Sequence, residues 1–381
     1  MILFFSIFFT VYTALNYYIF IRGWQALASY AYLRPYYIIV FVIVAYGYVF
    51  SKLLYKILPP LVYDIWLGIG AIWFAFLVYF ILTLLLIDVI RLFDSWFHFL
   101  PAYIKTDYEL TKKITAAIVI AVAGFIVLLG NLNKRDITVK TLDLQLPKGN
   151  GKLSEINIVA ASDLHLSPID GERLLSKIIN KMESLNPDII LLAGDIVDDK
   201  AEILEQRKIG ESFKRLSPKY GIFTISGNHE FINGVDASVE YAEHLGMKVL
   251  RDDYILVDSS FYVVGREDST MFQFTGRHRK SLKQIIETME TSYPIILLDH
   301  TPYKLDEART NNISLQLSGH THHGQIWPAN IITNMIYEVS WGYLKKGKTH
   351  YYVTSGAGTW GPPVRTGSKS EIVNIKIKFE N

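Results

Sequence analysis

The sequence predicts an α/β domain preceded by a bundle of membrane-spanning helices. Three observations predict it. Residues 1–133 hold eight Lys/Arg and five Asp/Glu, against thirty and thirty-one in the remaining 248. Apolar stretches recur through that first third, and a helical span needs roughly 20 apolar residues. Beyond it, short apolar runs alternate with amphipathic stretches, the order of an α/β core.

Four spans are expected, over residues 2–21, 36–58, 65–87 and 114–130. The first carries no charge. The second reaches full length only if Ser51, Lys52 and Lys56 lie near the interface. Trp24, Tyr36, Tyr37, Trp66, Trp73 and Trp96 fall at or near span ends, where interfacial aromatics collect. Residues 2–21 lack the basic start and small-residue cleavage site of a signal peptide, and further spans follow. Four spans put both termini on one side. The Lys and Arg of the loops, by a margin of one charge, place the soluble domain on the extracytoplasmic face. The whole chain carries 38 basic and 36 acidic residues, which gives no case for a nucleic-acid partner. It has no cysteine, so disulfides and thiolate metal sites are excluded.

Residues 134–153 read as a juxtamembrane linker and edge strand, with Ile137, Val139, Leu142, Leu144 and Leu146 spaced along it and a turn from Pro147 to Gly151. The soluble domain is expected over 154–381. Its strands are expected at 156–161, 188–193, 221–225, 295–298 and 313–317, with shorter ones near 247–250, 254–257, 261–265, 350–354 and 372–379. Helices are expected at 172–185, about 201–217, 235–245 and 281–291. Residues 326–344 form an unusually apolar loop. They are expected to pack on the domain's own core, with a lipid-facing lip as the alternative.

Chemistry-bearing residues stand at the strand ends: Asp163-Leu164-His165, Gly194-Asp195, Gly227-Asn228-His229-Glu230, Asp299-His300 and Gly319-His320-Thr321-His322. In open α/β sheets, sites form at the carboxyl ends of strands. Imidazole and carboxylate ligands without thiolate suit zinc, manganese or iron. The donors suffice for two ions sharing one carboxylate. Such a pair, roughly 3.5–4 Å apart, clamps the attacking and leaving oxygens of a phosphoryl displacement and acidifies bound water.

In this order and spacing the five blocks resemble the calcineurin-like metallophosphoesterase superfamily, over about residues 154–379. The resemblance implies a four-layer αββα sandwich. It implies Asp163, His165, Asp195 and His322 at one divalent metal ion, and Asp195, Asn228, His300 and His320 at a second, with Asp195 bridging. It makes His229 the non-ligand histidine that contacts phosphate and protonates the leaving oxygen. Gly-His-Thr-His-x-Gly-Gln, with Ser355-Gly356-x-Gly358 and Pro363-x-Arg365, resembles the membrane-associated YkuE/YaeI-type branch, whose activities include hydrolysis of UDP-2,3-diacylglucosamine or related phosphate esters. The expectation is therefore a membrane-anchored dimetal phosphohydrolase. A metal-activated hydroxide would cleave a phosphoester or pyrophosphate, on a lipid-linked or envelope substrate. A soluble nucleotide substrate, with the spans as anchor only, is one alternative. A non-catalytic metal-binding receptor or scaffold is the other, and the intact ligand set with His229 weighs against it.

Arg365 divides evenly between binding substrate phosphate through a bidentate fork and pairing with an acid. His323 reads as a rim residue, and His244, His278 and His350 as surface residues. Asp198 and Asp199 read as turn or capping residues, with Asp198 also able to orient a ligand. Glu230 reads as support for its loop, and Gly356 and Gly358 as turn glycines that permit close approach.

Overall fold

The computed structural model describes residues 2–290 and 292–380, with side chains from Ser6 onward. The chain forms two compact units. One runs to Asn131 and includes Gly361–Val364; the other comprises Leu132–Trp360 and the chain from Arg365 on.

The first unit is helical: α1 (Ile2–Ala26), α2 (Arg34–Leu53), α3 (Pro60–Phe97), α4 (Ala102–Thr106) and α5 (Tyr108–Asn133). Among the described residues, three helical stretches are long and apolar enough to cross a membrane: Ala28–Leu53, Pro60–Phe97 and Tyr108–Asn133. The span expected over 2–21 lies in α1, whose first side chains fall outside the described residues. The third expected span is a longer helix than anticipated. Pro60 starts α3, where a missing N–H is harmless, and His98 ends it in a left-handed conformation. Small residues let helices approach closely. A side chain on Gly70 would come within 2.1 Å of the Tyr48 backbone nitrogen. Buried Asn16 is satisfied, accepting from Trp73 Nε1 at 2.9 Å and donating to Tyr12 O at 2.9 Å.

The second unit holds twelve strands among the described residues. They are β1 (Ile137–Pro147), β2 (Glu155–Ala161), β3 (Ile189–Leu192), β4 (Ile222–Thr224), β5 (Met247–Val249), β6 (Asp253–Val257), β7 (Phe261–Gly265), β8 (Ile295–Leu298), β9 (Leu315–Ser318), β10 (Gly342–Lys346), β11 (Thr349–Val353) and β12 (Ser370–Glu380). They form two sheets, ordered β1-β12-β2-β3-β4-β5 and β10-β11-β9-β8-β7-β6. Strands β2 to β5 are parallel, as are β7, β8, β9 and β11. Each sheet therefore gathers the carboxyl ends of its central strands along one edge.

Side-chain alternation separates the layers. Ile158, Ala160, Ile189 and Leu191 of the first sheet share a core with Ile296, Leu298, Leu315 and Leu317 of the second. Their neighbours Val159, Ala161, Ile190 and Leu192 face the other way, onto Leu175, Ile178, Ile179 and Met182 of helix α6 (Gly171–Glu183). On the far side, Tyr262, Val264, Ile295 and Leu297 pack with Leu282, Ile285 and Met289. The result is helix, sheet, sheet, helix, the four-layer α/β arrangement expected. Each fully buried Leu or Ile contributes about 1.5–3 kcal/mol, so these three clusters hold the layers together.

Three expectations change. The helix expected over 201–217 breaks into Ala201–Gln206 and a 3-10 turn, Glu211–Arg215. Glu172 on α6 accepts from the backbone of Gly210 at 2.6 Å and of Ser212 at 2.8 Å, and Gly210 adopts φ 110°. The helix expected over 281–291 spans only Leu282–Ile286, behind a Ser281–Gln284 capping box; residue 291 lies outside the described residues. The apolar stretch 326–344 is not a loop packed on the core. It contains helix Ala329–Ile336, none of whose residues is buried, and strand β10.

Candidate metal centre

The loops that leave β2, β3, β4, β8 and β9 carry the chemistry, and their backbones lock together. Asp163 N–H donates to Gly194 O at 3.0 Å, His165 N–H to Asp195 O at 3.1 Å, and Gly319 N–H to His300 O at 2.9 Å. The carboxylate of Asp163 accepts from His320 N–H at 3.0 Å, and Asp195 Oδ1 from His229 N–H at 2.8 Å. This packing explains two glycines of the motifs. A side chain on Gly227 would meet Asp195 Oδ1 at 2.2 Å, and one on Gly319 would meet Asp163 Oδ2 at 2.2 Å. Five residues also hold left-handed backbone: Asp163 (φ 53°), His165 (48°), Asp195 (53°), His320 (69°) and His322 (48°). Non-glycine residues seldom adopt it, and it clusters at functional sites.

Two groups of donors result. In the first, His165 Nε2 and His322 Nε2 are 2.9 Å apart, and His322 Nε2 is 3.2 Å from Asp163 Oδ1. In the second, His300 Nε2 lies 3.1 Å from Asp195 Oδ2 and 3.2 Å from Asn228 Oδ1, which is 2.8 Å from His320 Nδ1. Asp195 Oδ2 is also 3.7 Å from His165 Nε2, so one carboxylate faces both groups. The convergent sets Asp163–His165–His322 and Asp195–His300–His320 each have the spacing to hold a metal ion. The donor chemistry fits a cation. His300 Nδ1 donates to Ala193 O at 2.7 Å, so its Nε2, which faces Asp195 Oδ2 and Asn228 Oδ1, calls for a proton or a cation there. Two imidazole Nε2 atoms at 2.9 Å likewise need a proton or a shared cation between them.

The electrostatics agree. Burial pushes the Asp163 carboxyl up, but His322 and His165 outweigh it and hold it well below the usual carboxylate range. Burial also works against Asp195, which His300 and His229 bring down. Burial pulls His165 down, yet Asp163 and Asp198 raise it to about 10. For His322 burial wins, and its value falls to about 4. Buried carboxylates that stay ionised make a field that attracts positive charge.

Around these groups, His229 Nδ1 is 2.6 Å from Asp198 Oδ1, and its ring stands 4.6 Å from that of His165. Asp198 is also 3.7 Å from His165 Nδ1, so it touches both histidines. Glu230 is buried and accepts four backbone N–H bonds: from Ile196 (2.7 Å), Val197 (3.0 Å), Asp195 (3.1 Å) and Gly227 (2.6 Å). Burial and Asp195 raise its carboxyl above the ordinary value.

Arg365 differs from both sequence expectations. It is fully buried. Its guanidinium donates to Gly356 O (3.0 Å), Gly358 O (2.6 Å), Lys369 O (3.0 Å) and Ser368 Oγ (2.7 Å), and lies 3.4 Å from His322 Nδ1. It shapes the loop behind His322 and has no fork left for a substrate phosphate. His350 is likewise buried, 2.8 Å from the Tyr343 hydroxyl, and not a surface residue. His323 lies 3.0 Å from Ser340 Oγ, and its ring is 5.3 Å from that of Trp341.

The sequence profile of the calcineurin-like phosphoesterase family matches residues 156–324. A zebrafish (Danio rerio) transmembrane protein with metallophosphoesterase domain is 31% identical over 253 residues, covering 63% of this chain and 57% of that protein. An uncharacterized metallophosphoesterase of Aquifex aeolicus is 30% identical over 236 residues, 61% of this chain and 88% of its own. One from Campylobacter jejuni is 30% identical over 275 residues, covering 71% and 72%. The chain thus spans little more than half the length of the zebrafish relative.

Proposed function

Since the chain belongs to the calcineurin-like metallophosphoesterase family, we propose that its converging loops hold two divalent ions and hydrolyse a phosphoester or pyrophosphate at a membrane. The reading rests above all on two donor groups that meet at one carboxylate, Asp195. Asp163, His165, Asp195 and His322 would hold one ion, and Asp195, Asn228, His300 and His320 the other. Manganese, zinc and iron suit these donors. When bound, the ions would supply Lewis acidity to the phosphoryl oxygens and lower the pKa of water.

The chain's own groups do the rest. His229 protonates the leaving oxygen, and Asp198, 2.6 Å from its Nδ1, fixes the ring so that Nε2 is the working nitrogen. Glu230 freezes the loop that carries Asp195. The finer substrate class is a lipid-linked or envelope phosphoester or pyrophosphate on the extracytoplasmic side. It is supported by the apolar helices that precede the unit and by the loop charges.

The test uses the full chain in detergent with added manganese, bis-p-nitrophenyl phosphate, p-nitrophenyl phosphate and a lipid pyrophosphate, with metal content measured beside turnover. His229→Ala is expected to retain its metal and lose about 10²- to 10⁴-fold in kcat. A wild-type protein that retains no ion would overturn the reading. Metal-loaded protein without turnover on any ester would leave a binding protein in its place.

A further inference from the structure

Helix Ala329–Ile336 carries no charged residue. Ile331, Ile332, Met335 and Ile336 fall at positions i, i+1, i+4 and i+5, one stripe of a helix. On a surface helix that stripe normally faces the core. Here the four are 51, 56, 81 and 58% exposed. Trp327 before the helix and Trp341 after it are 49 and 41% exposed. A contiguous apolar patch of this kind marks an interaction surface.

The helix is held in place. It packs backbone to backbone against the His-Thr-His loop, because a side chain on Gly324 would come within 2.1 Å of Asn330 N. Ser340, beyond its end, binds the same loop: Thr321 Oγ1 donates to Ser340 O at 2.5 Å, and Ser340 Oγ bonds Asn334. The Tyr337 ring that ends the helix is 6.2 Å from that of His320. The exposed stripe therefore belongs to the rim of the metal centre.

Its neighbour in the cell is constrained by the chain itself. Three residues, 134–136, separate the apolar helix α5 from β1, and three residues reach at most about 10 Å. A unit tethered this closely to a helix apolar enough to cross a membrane stays within reach of any bilayer that helix enters. Tryptophan and tyrosine are enriched where a protein meets the headgroup layer; Trp327 precedes the helix, Tyr337 ends it with Tyr303 stacked on its ring at 5.0 Å, and Trp341 follows. We infer that helix Ala329–Ile336 with its flanking tryptophans is a lip that docks in the bilayer surface and opens the metal centre toward phosphoesters in the membrane. Only the substrate part of this inference rests on the phosphoesterase reading.

The chain has no cysteine, so single cysteines can report on the lip without background. The full chain is reconstituted in liposomes as Ile332→Cys, Met335→Cys and, as control, Glu243→Cys on another helix of the unit. Each is labelled with an environment-sensitive fluorophore. Quenching by brominated lipids at 332 and 335 but not at 243, with a blue-shifted emission, is the expected result. Quenching by aqueous iodide alone at all three positions would overturn the lip, as would lipid-independent protection at 332 and 335, which marks a protein partner. A second arm compares Ile332→Glu/Met335→Glu with wild type. A loss of ten-fold or more in kcat/KM on a liposome-embedded phosphoester, with bis-p-nitrophenyl phosphate turnover unchanged, is expected. Equal loss on both would assign the helix a structural role. Failure of the phosphoesterase reading abolishes turnover everywhere but leaves the quenching result standing, so the two failures are distinguishable.

Discussion

The two sheets furnish the candidate metal centre unequally. The loops of the first bring both carboxylates, Asp163 and Asp195, with His165, Asn228 and His229. The loops of the second bring imidazoles only: His300, His320 and His322. Their supports differ in the same sense. On the acidic side Glu230 gathers four backbone N–H groups, so a buried charge is held by neutral dipoles. On the basic side Asp299, next to His300, accepts from Arg266 at 3.0 Å and Arg279 at 2.8 Å, with Glu307 3.1 Å from Arg266. The carboxylates thus come from one layer alone and meet the imidazoles of the other only when the layers pack. The half that lacks carboxylates among its donors carries its ion pairs one step behind them.

Substitutions that strike one half can break or sharpen this contrast. Asp195→Asn should have the largest effect, because its carboxylate faces both halves. On the proposed two-ion reading both are expected to be lost and turnover to fall to background, measured by metal analysis and ester hydrolysis. Retention of one full equivalent would show that the halves load independently. Asp299→Asn comes next. It leaves the buried Arg266 and the part-buried Arg279 under-compensated, and breaking a buried pair destabilises a fold by about 3–5 kcal/mol. A falling thermal midpoint with metal content per folded molecule intact is the expected signature of a support on the basic side. Glu230→Gln is milder for the fold, since the amide keeps one acceptor but turns an NH₂ toward backbone donors. Disturbing a group that orients ligands lowers metal affinity or activity by about 10- to 100-fold. An equal loss of stability in Glu230→Gln and Asp299→Asn would erase the distinction between the two supports.

The smallest effect concerns pH. Burial pushes the Glu307 carboxyl up, but Arg266 outweighs it, and its value lies below the ordinary one. A depressed carboxylate contributes stability that is complete above its unfolded value of about 4.3 and is lost as pH falls through the folded value. Glu307→Gln should therefore flatten that part of the acid limb in a plot of thermal midpoint against pH and change little at neutrality. An unchanged acid limb would remove Glu307 from the network.

Much of this was legible in the chain. Runs such as Ile-Ile-Leu-Leu before Ala193 and before Asp299, short and apolar throughout, read as strands covered on both faces, and a Gly-Asp or Asp-His after such a run sits where α/β sheets build sites. The resemblance then ordered the blocks. The supports were less legible. Nothing local marks Arg266 or Arg279 as partners of Asp299, because a guanidinium on its own sequence looks the same buried or free. Arg365 shows the same ambiguity, since the carbonyls that absorb its donors become acceptors only after the loop turns at Gly356. The exposed helix was missed for two reasons. Its Ile, Thr and Asn residues have modest helix propensity, and an apolar stripe reads identically whether it faces a core or the outside.

The backbone of the site carries one more consequence. Asp163, His165, Asp195, His320 and His322 all sit in the left-handed region, where a residue with a side chain is strained by about 1–3 kcal/mol. None of that strain helps the chain fold. A lineage or laboratory selection that rewarded heat resistance alone would therefore favour asparagine at these positions, which at 163 and 195 keeps an acceptor for the N–H groups of His320 and His229. It would arrive at a hardier protein with no chemistry left, so endurance and turnover are opposed at the same five peptide units.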